Sequence, residues 1–444
     1  MMQFYLRKDE PITTLQLGNI VNSFMTNCQP ALQKRYNYYL GKQKILQKES
    51  EDQSRPCNNI VCNFVKNIVN TYEGYAVGVP VTYSSDDEGF ERLEDILKYN
   101  DVADEDAELF RNGLIYGRAA EICYIDEDKK ERFKELDSLG TIPVYDDTLD
   151  GSLLYAIRMW QENIGASLTS TYLVEVYDER YVTTYRSTEG FGAFQFIKQD
   201  LHGFRQVPIT FFSLNNEEEG IADTIFSLQD AYNSLISDSI DDWDAFCDAY
   251  LVLKGAIADG EDLEAMKAYR TLMLDADASA EYLVKNTSST EIEHLMSAVE
   301  EKIREMSACP NFASENFGTS SGIAIRYRCM ALENNTASIL NNFKKALQRR
   351  LELLAETLME SEALWRDVDI TFTRNLPINT TDIAQEINQL RGLVSDRTLL
   401  AQIPFISDVE AEMEEIQRQK LENLEVYTFG STATEEVEDG AEEE

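Results

Sequence analysis

Residues 308–322 read ACPNFASENFGTSSG, and the reading of this stretch decides the fold. It is polar, rich in Gly, Ser and Asn, with one charge, Glu315, and two aromatic side chains, Phe312 and Phe317. Before it, TEIEHLMSAVEEKIREMSA (290–308) places Ile292, Leu295, Met296, Val299, Ile303 and Met306 at helical spacing. After it, residues 322–360 hold no proline and no glycine beyond Gly322, while Leu340, Phe343, Leu347, Leu351, Leu354 and Leu358 step by three or four. That pattern predicts a helix about 55 Å long. A second long helix is predicted from GIADTIFSLQDAYNSLISDSIDDWDAFCDAYLVLKG (220–255), with Ile221, Ile225, Leu228, Tyr232, Leu235, Trp243, Cys247 and Tyr250 on one face and a break only at Gly255. Helices of this length pack along one another, within a chain or between copies.

The remainder divides by period. Residues 17–45 read as helical, with a break near Pro30 and a stop at Gly41, followed by a loop, EDQSRPCNN. Ile60, Phe64, Ile68, Val69 and Tyr72 sit at helical spacing; a short strand, VPVTYSS, and two acidic amphipathic helices across 88–112 come next. From 119 to 213 the pattern alternates with period two, and turns such as Asp150-Gly151 separate the runs, which predicts an antiparallel sheet. Residues 1–220 therefore read as one α+β domain. Residues 255–289 are mixed, DITFTRNLPIN is a strand and a proline turn, and 381–428 is again helical, with Asp382 as a helix cap and a capping box at Ser407 and Glu410. The fold class is α+β, mainly helical.

Composition narrows the function. The 444 residues carry 80 Asp and Glu against 40 Lys and Arg, a formal charge of −40. The final STATEEVEDGAEEE holds seven of the acids and is expected to be disordered, so the body stays strongly acidic. Such a surface does not grip nucleic acid by counterion release over its whole extent, although it can touch DNA locally or let it pass. Basic residues concentrate in 1–48 and in 316–350, where Arg326, Arg328, Lys344, Lys345, Arg349 and Arg350 face only Glu333. These are solvated helix faces or ion-pair partners, or contacts with phosphate or an acidic partner. Seven scattered cysteines read as reduced thiols, no secretory signal is evident, and no run is long enough to span a membrane, which points to a soluble product of a cytoplasm.

Catalytic motifs are not found. His202 and His294 read as structural or surface residues, and there is no Gly-x-x-x-x-Gly-Lys-Ser/Thr phosphate loop. Asp238, Asp241, Asp242, Asp244 and Asp248 could hold Mg²⁺ for a nuclease or hydrolase, but read more simply as an acidic solvated face. Asp146, Thr148, Asp150 and Gly151 begin like a calcium loop, yet Ile157 stands where the bidentate Glu belongs, so a hairpin turn is the better reading. No cofactor is implied.

Six stretches, in order, resemble the portal proteins of tailed bacteriophages, in particular those of phages with long non-contractile tails. They are RYNYYLGKQKIL, NNIVCNFVKNIVNTYEGYAVGVPVTY, RNGLIYGRAAEICYID, VPITFFSLNNEEEGIADTIFSLQDAYNSLISD, SENFGTSSGIAIRYRCMALE and ITFTRNLPINTTDIAQEINQLRGLVSDRTLL, covering about 35–425. The resemblance implies a ring, usually of twelve copies, at one capsid vertex of the virion, with double-stranded DNA entering and leaving through its channel. It implies a wing (1–220 with 322–380), a first stem helix (221–254), a clip (255–289), a second stem helix (290–308), a tunnel loop (309–321), a crown (381–428) and an acidic tail (429–444). The implied partners are a terminase packaging motor, a head-tail adaptor, and the major capsid and scaffolding proteins, with no membrane. Carried over by position, Asn311, Phe312, Ser314, Glu315, Asn316, Phe317, Thr319 and Ser320 form the channel loop, and Lys302, Arg304, Lys344, Lys345 and Arg349 are candidates for local contact with DNA. The competing reading is a cellular helical scaffold or adaptor with no DNA role.

Overall fold

Helix α6 (Phe226–Cys247) is the element on which the N-terminal half is hung. Among its described side chains the fully buried ones are polar: Gln229, Asn233 and Ser237, each 0 % exposed. Together with Asp241 they stand four residues apart on one face, and each accepts a backbone N–H from an extended segment running antiparallel to the helix. Phe64 N–H reaches Gln229 Oε1 at 3.0 Å, Cys62 N–H reaches Asn233 Oδ1 at 3.0 Å, Ile60 N–H reaches Ser237 Oγ at 3.0 Å and Asn58 N–H reaches Asp241 Oδ1 at 2.6 Å. Four helical residues rise about 6 Å and two extended residues about 6.6 Å, so the two repeats stay in step. Gln229 Nε2 returns a bond to the Cys62 carbonyl at 2.6 Å, and Asn233 donates to Gln43.

The computed structural model describes residues 2–8, 10–49, 56–164, 167–187, 193–247, 250–254, 279–283, 289–312, 322–358, 362–375 and 387–400, with isolated positions as far as 419. Strand β1 (Phe4–Leu6) opens the chain, followed by α1 (Thr14–Ser23), a wide π turn over Phe24–Cys28 and α2 (Gln29–Tyr39). The break thus precedes Pro30, which sits in the first turn of α2 where its missing N–H is not needed. The extended segment ends at Asn63, whose side chain caps α3 (Phe64–Ala76) by accepting Lys66 N–H. Then come β2 (Thr82–Ser84), α4 (Phe90–Tyr99) and α5 (Val102–Tyr116).

The period-two region forms the expected strands: β3 (Arg118–Ile125), β4 (Glu131–Leu136), β5 (Thr141–Asp146), β6 (Leu153–Ile164), β7 (Ser167–Tyr177), β8 (Tyr181–Ser187), β9 (Phe194–Leu201) and β10 (Ile209–Ser213). They make two sheets, one ordered β1-β5-β6-β7-β8-β9 and one ordered β10-β3-β4. All these pairings are antiparallel except β1 with β5, which is parallel; β1 has no counterpart in the sequence reading. Gly113 and Gly117 explain the Gly-x-x-x-Gly spacing. A Cβ on Gly113 would lie 2.2 Å from the Phe212 ring, and Gly117 (φ +80°) runs against the Glu218 carbonyl.

Beyond α6 the helical expectation is corrected. The helix ends at Cys247 and spans about 33 Å, short of the predicted break at Gly255, because Tyr250–Lys254 is strand β11, paired antiparallel with β12 (Ser279–Leu283). Tyr250 and Val252 favour a strand, and pairing with Ser279–Leu283 decides against the helix. The predicted apolar face of α6 is not its buried face either: Leu228, Tyr232 and Leu235 are half-buried and Trp243 is 70 % exposed. Helix α7 (Ser289–Ser307) and helix α8 (Gly322–Thr357) match the predicted pair, α8 being about 54 Å long. Helix α9 (Glu362–Arg366) and β13 (Asp369–Thr371), paired with β2, follow.

Residues 1–318 and 327–375 form one compact unit; 319–326 with 376–444 form another. In the second unit the described residues include α10 (Asp396–Leu400), whose Thr398 N–H is capped by Ser395 Oγ at 3.3 Å. The caps predicted at Asp382, Ser407 and Glu410 lie outside the described residues.

Asn233→Ala leaves the Cys62 amide buried without an acceptor. It is expected to lower the unfolding free energy by about 1–3 kcal/mol, read as a shift in the urea midpoint with secondary structure retained.

Candidate functional site

The described part of the candidate channel loop begins where α7 stops. Ser307 closes the helix, Ala308 turns left-handed (φ +53°), and the chain reverses through two bonds: Ala308 N–H to the Glu305 carbonyl at 3.2 Å and Cys309 N–H to the Arg304 carbonyl at 3.1 Å. This is a Schellman ending, usually built on glycine. It is buttressed by the buried side chains of Ile303 and Cys309. The Ser307 carbonyl, freed by the helix end, accepts the Tyr72 hydroxyl at 2.8 Å, and Asn335 Nδ2 of α8 donates to that same hydroxyl at 3.3 Å. Burial pushes the Tyr72 phenol up to about 12, so it stays protonated and able to donate.

One turn further along α3, the Tyr75 hydroxyl donates to Glu333 Oε2 at 2.6 Å, and Arg374 clamps the same carboxylate at 2.9 and 3.0 Å. Burial tends to raise the Glu333 carboxyl, but the Arg374 and Tyr75 hydrogen bonds outweigh it and hold the group below its ordinary range. Helix α3 therefore links α6, α7 and α8. Its N-terminal amide is fixed by α6, and its tyrosines fix the end of α7 and the first half of α8. The chain leaves this anchor through Pro310, Asn311 and Phe312, the last 39 % exposed. Ser314, Glu315, Asn316, Phe317, Thr319 and Ser320 lie outside the described residues.

A second anchor holds the far half of α8. Arg350, 0 % exposed, places its guanidinium between two buried carboxylates, with Nε at 2.7 Å from Glu121 Oε1 and Nη1 bonded to Asp106 Oδ1. The Tyr83 hydroxyl donates to Asp106 Oδ2 at 2.7 Å, and the guanidinium stacks 4.4 Å from the Phe133 ring. One residue thus joins α8 to α5, β2, β3 and β4. Burial raises the Glu121 carboxyl despite its two contacts with Arg350. Beside this cluster Phe343 packs against Phe110 and Phe212 at centroid distances of 5.1 and 5.0 Å, tying α8 to α5 and β10.

The remaining candidate cations separate into two kinds. Lys302 pairs with Glu305, and Arg304 pairs with Glu300 at 2.8 Å, both along α7 itself. Arg349 binds Gln206 and Glu352. Lys344 and Lys345 have no carboxylate partner among the described residues. The acidic cluster on α6 is used structurally: Lys48 bridges Asp238 at 2.8 Å and Asp241 at 3.1 Å, and Asn58 Nδ2 binds Asp241 and Asp244 at 2.9 Å. No group of three or more possible metal ligands exists among the described residues, and no described helix is long and apolar enough to cross a membrane. Tyr72, Ala308 and Arg350 were not singled out by the sequence as anchors. The signal available for Tyr72 was its place at the end of an apolar helical stripe; Arg350 stood within a basic run that resembled a surface.

Helices α6 and α7 pack on one another, and α3 ties both of them to α8. The family described as "Phage portal protein, SPP1 Gp6-like" matches residues 25–425, and the chain belongs to that family. Two relatives named "Portal protein" are similar over most of their length. That of Clostridium phage phiCD119 is 22 % identical over 436 residues, 91 % of this chain and 95 % of the relative. That of Bacillus phage SPP1 is 24 % identical over 424 residues, 87 % of this chain and 80 % of the relative. The chain is a phage portal protein, a ring-forming component of the capsid through which DNA is packaged and ejected and to which motor and tail components dock; the scaffold reading without a DNA role is not favoured.

Two substitutions check the anchors. Tyr72→Phe removes the donor to Ser307 and is expected to cost about 1–2 kcal/mol, with faster amide exchange confined to the end of α7 and the turn after it. Arg350→Met strands two buried carboxylates and is expected to cost roughly 3–5 kcal/mol; the triple change with Asp106→Asn and Glu121→Gln should recover most of that loss in urea unfolding.

Proposed function

We propose that the chain closes into a ring of about twelve copies at one capsid vertex of the virion, with the loop at 309–321 lining the channel. The observation that carries this reading is the family match from 25 to 425. The anchored exit at Ala308–Phe312 supports the loop's role, since a projecting loop needs a fixed base. Residues 1–220 with the far part of α8 form the wing, α6 and α7 the stem, β11 and β12 the base of the clip, and 381–428 the crown. The protein is made in the host cytoplasm and meets capsid and scaffolding proteins there. A terminase motor and later a head-tail adaptor dock on the clip.

The electrostatics fit passage rather than grip. A chain of formal charge −40 surrounds DNA with like charge, and the loop itself offers no Lys or Arg. Phe312 and Phe317 supply apolar or stacking contact whose strength does not depend on salt. Lys302 and Arg304 are the stem cations available to DNA, and each already has a carboxylate beside it on α7. That leaves only a weak local attraction, which suits a strand that must slide.

Native mass spectrometry of the purified chain, with negative-stain images of the same sample, tests the assembly. Closed rings of about twelve subunits with a central hole are expected. A stable dimer with no ring at any concentration or salt level would overturn the reading.

A further inference from the structure

Helix α8 presents to solvent a face that does not suit solvent. Between Arg328 and Lys344 the only charged residue is Glu333, and it is bound inward by Tyr75 and Arg374. The outward positions are Tyr327, Met330, Ala331, Asn334, Ser338 and Asn341, all exposed, with Tyr327 at 73 % and Met330 at 57 %. They recur every three or four residues and lead to Lys345; the charge-free part of the face, 329–343, is about 21 Å long. In a chain with 27 % charged residues, an exposed helix face without charge over that length is anomalous. Tyr and Met are enriched at protein interfaces, whose cores are depleted of charge.

The stripe runs into a cleft of about 520 Å³ between α8 and the strand and turn at 209–218. Lys345, Asn342 and Arg349 line one wall; Thr210, Asn215 and Glu218 line the other. Thr210 is 3 % exposed and its hydroxyl has no hydrogen-bond partner among the described residues, whereas buried hydroxyls ordinarily have one. Lys345 is exposed and has no carboxylate partner among the described residues. The Glu218 carboxylate faces the Arg118 guanidinium at 3.6 Å, so its charge is balanced from behind. The exposed cation of Lys345 in this cleft matches a carboxylate.

We propose that this face of α8 docks a second copy of the chain, and that the cleft at its end receives an Asp or Glu side chain from that copy. The inference rests on the ring reading above and names the surface that closes it. Two chains this acidic meet only where charge is absent or opposite, and this stripe ending in Lys345 supplies both conditions. The contact is heterologous: the acidic group comes from a different surface of the neighbouring copy, as a closed ring requires.

The test combines assembly with zero-length cross-linking of the full chain. In the double variant Ala331→Glu/Ser338→Glu, rings at a given protein concentration should fall by more than about tenfold, while the melting temperature of the monomer stays within about 2 °C. A carbodiimide applied to rings mixed from isotopically labelled and unlabelled chains should join Lys345 to an Asp or Glu of a neighbouring copy. Variant rings at the wild-type level, or Lys345 joined only within its own chain, would overturn this surface and leave the ring reading standing. A Lys345 shielded by added double-stranded DNA but not by assembly would assign the cleft to phosphate and overturn the proposal. A wild-type chain that forms no ring at all would remove the ring reading together with it.

Discussion

Four backbone amides of an extended segment, at Asn58, Ile60, Cys62 and Phe64, bond to four side chains of one helix face, and the positions of the later elements follow from that match. An extended chain beside a helix has no backbone partner of its own, and buried amides must be satisfied. Gln229, Asn233, Ser237 and Asp241 satisfy them at a four-residue spacing that suits the two-residue repeat of the segment. The register is therefore fixed, because a slip of one residue would present carbonyls to acceptors. Since Phe64 is both the last amide of this ladder and the first residue of α3, the direction of α3 is set by α6. Tyr72 and Tyr75 carry that placement to the end of α7 and to Glu333 on α8.

Charge is handled in the same economical way. An acidic chain has more carboxylates than cations, and those carried inward at Asp106 and Glu121 share a single guanidinium, Arg350. The pair is retained although a buried ion cluster is weak evidence for stability, since its effect is to fix one helix against four elements at once. Arg35 plays a similar part, bonding Asp223 at 2.9 and 3.0 Å while its Nη1 reaches the carbonyls of Tyr116 and Glu218. The cations thus consumed are unavailable to DNA, so the basic stretches of the sequence overstate how attractive the surface is.

The strands from 118 to 213, helices α3 to α5, and the pair α7 and α8 were legible because each is amphipathic with one clear period. The ladder was not, because a polar face on a helix ordinarily faces water, and nothing local distinguishes Asn233 from a surface asparagine. The end of α6 was misread for a related reason: DAYLVLKG continues the helical spacing while its residue types favour a strand, and pairing with Ser279–Leu283 decides between them. Strand β1 is three residues long, too short to show a period, and exists through its pairing with β5. The loop's composition was readable, but its anchor was not. A left-handed alanine carries none of the signal that glycine would at Ala308.

Electron cryomicroscopy of the assembled particle tests the channel assignment most directly. Density for Pro310, Asn311 and Phe312 is expected at the inner wall, with the chain after Phe312 reaching toward the axis. A ring in which these residues lie on the outer surface, or against the neighbouring subunit away from the lumen, would contradict the assignment.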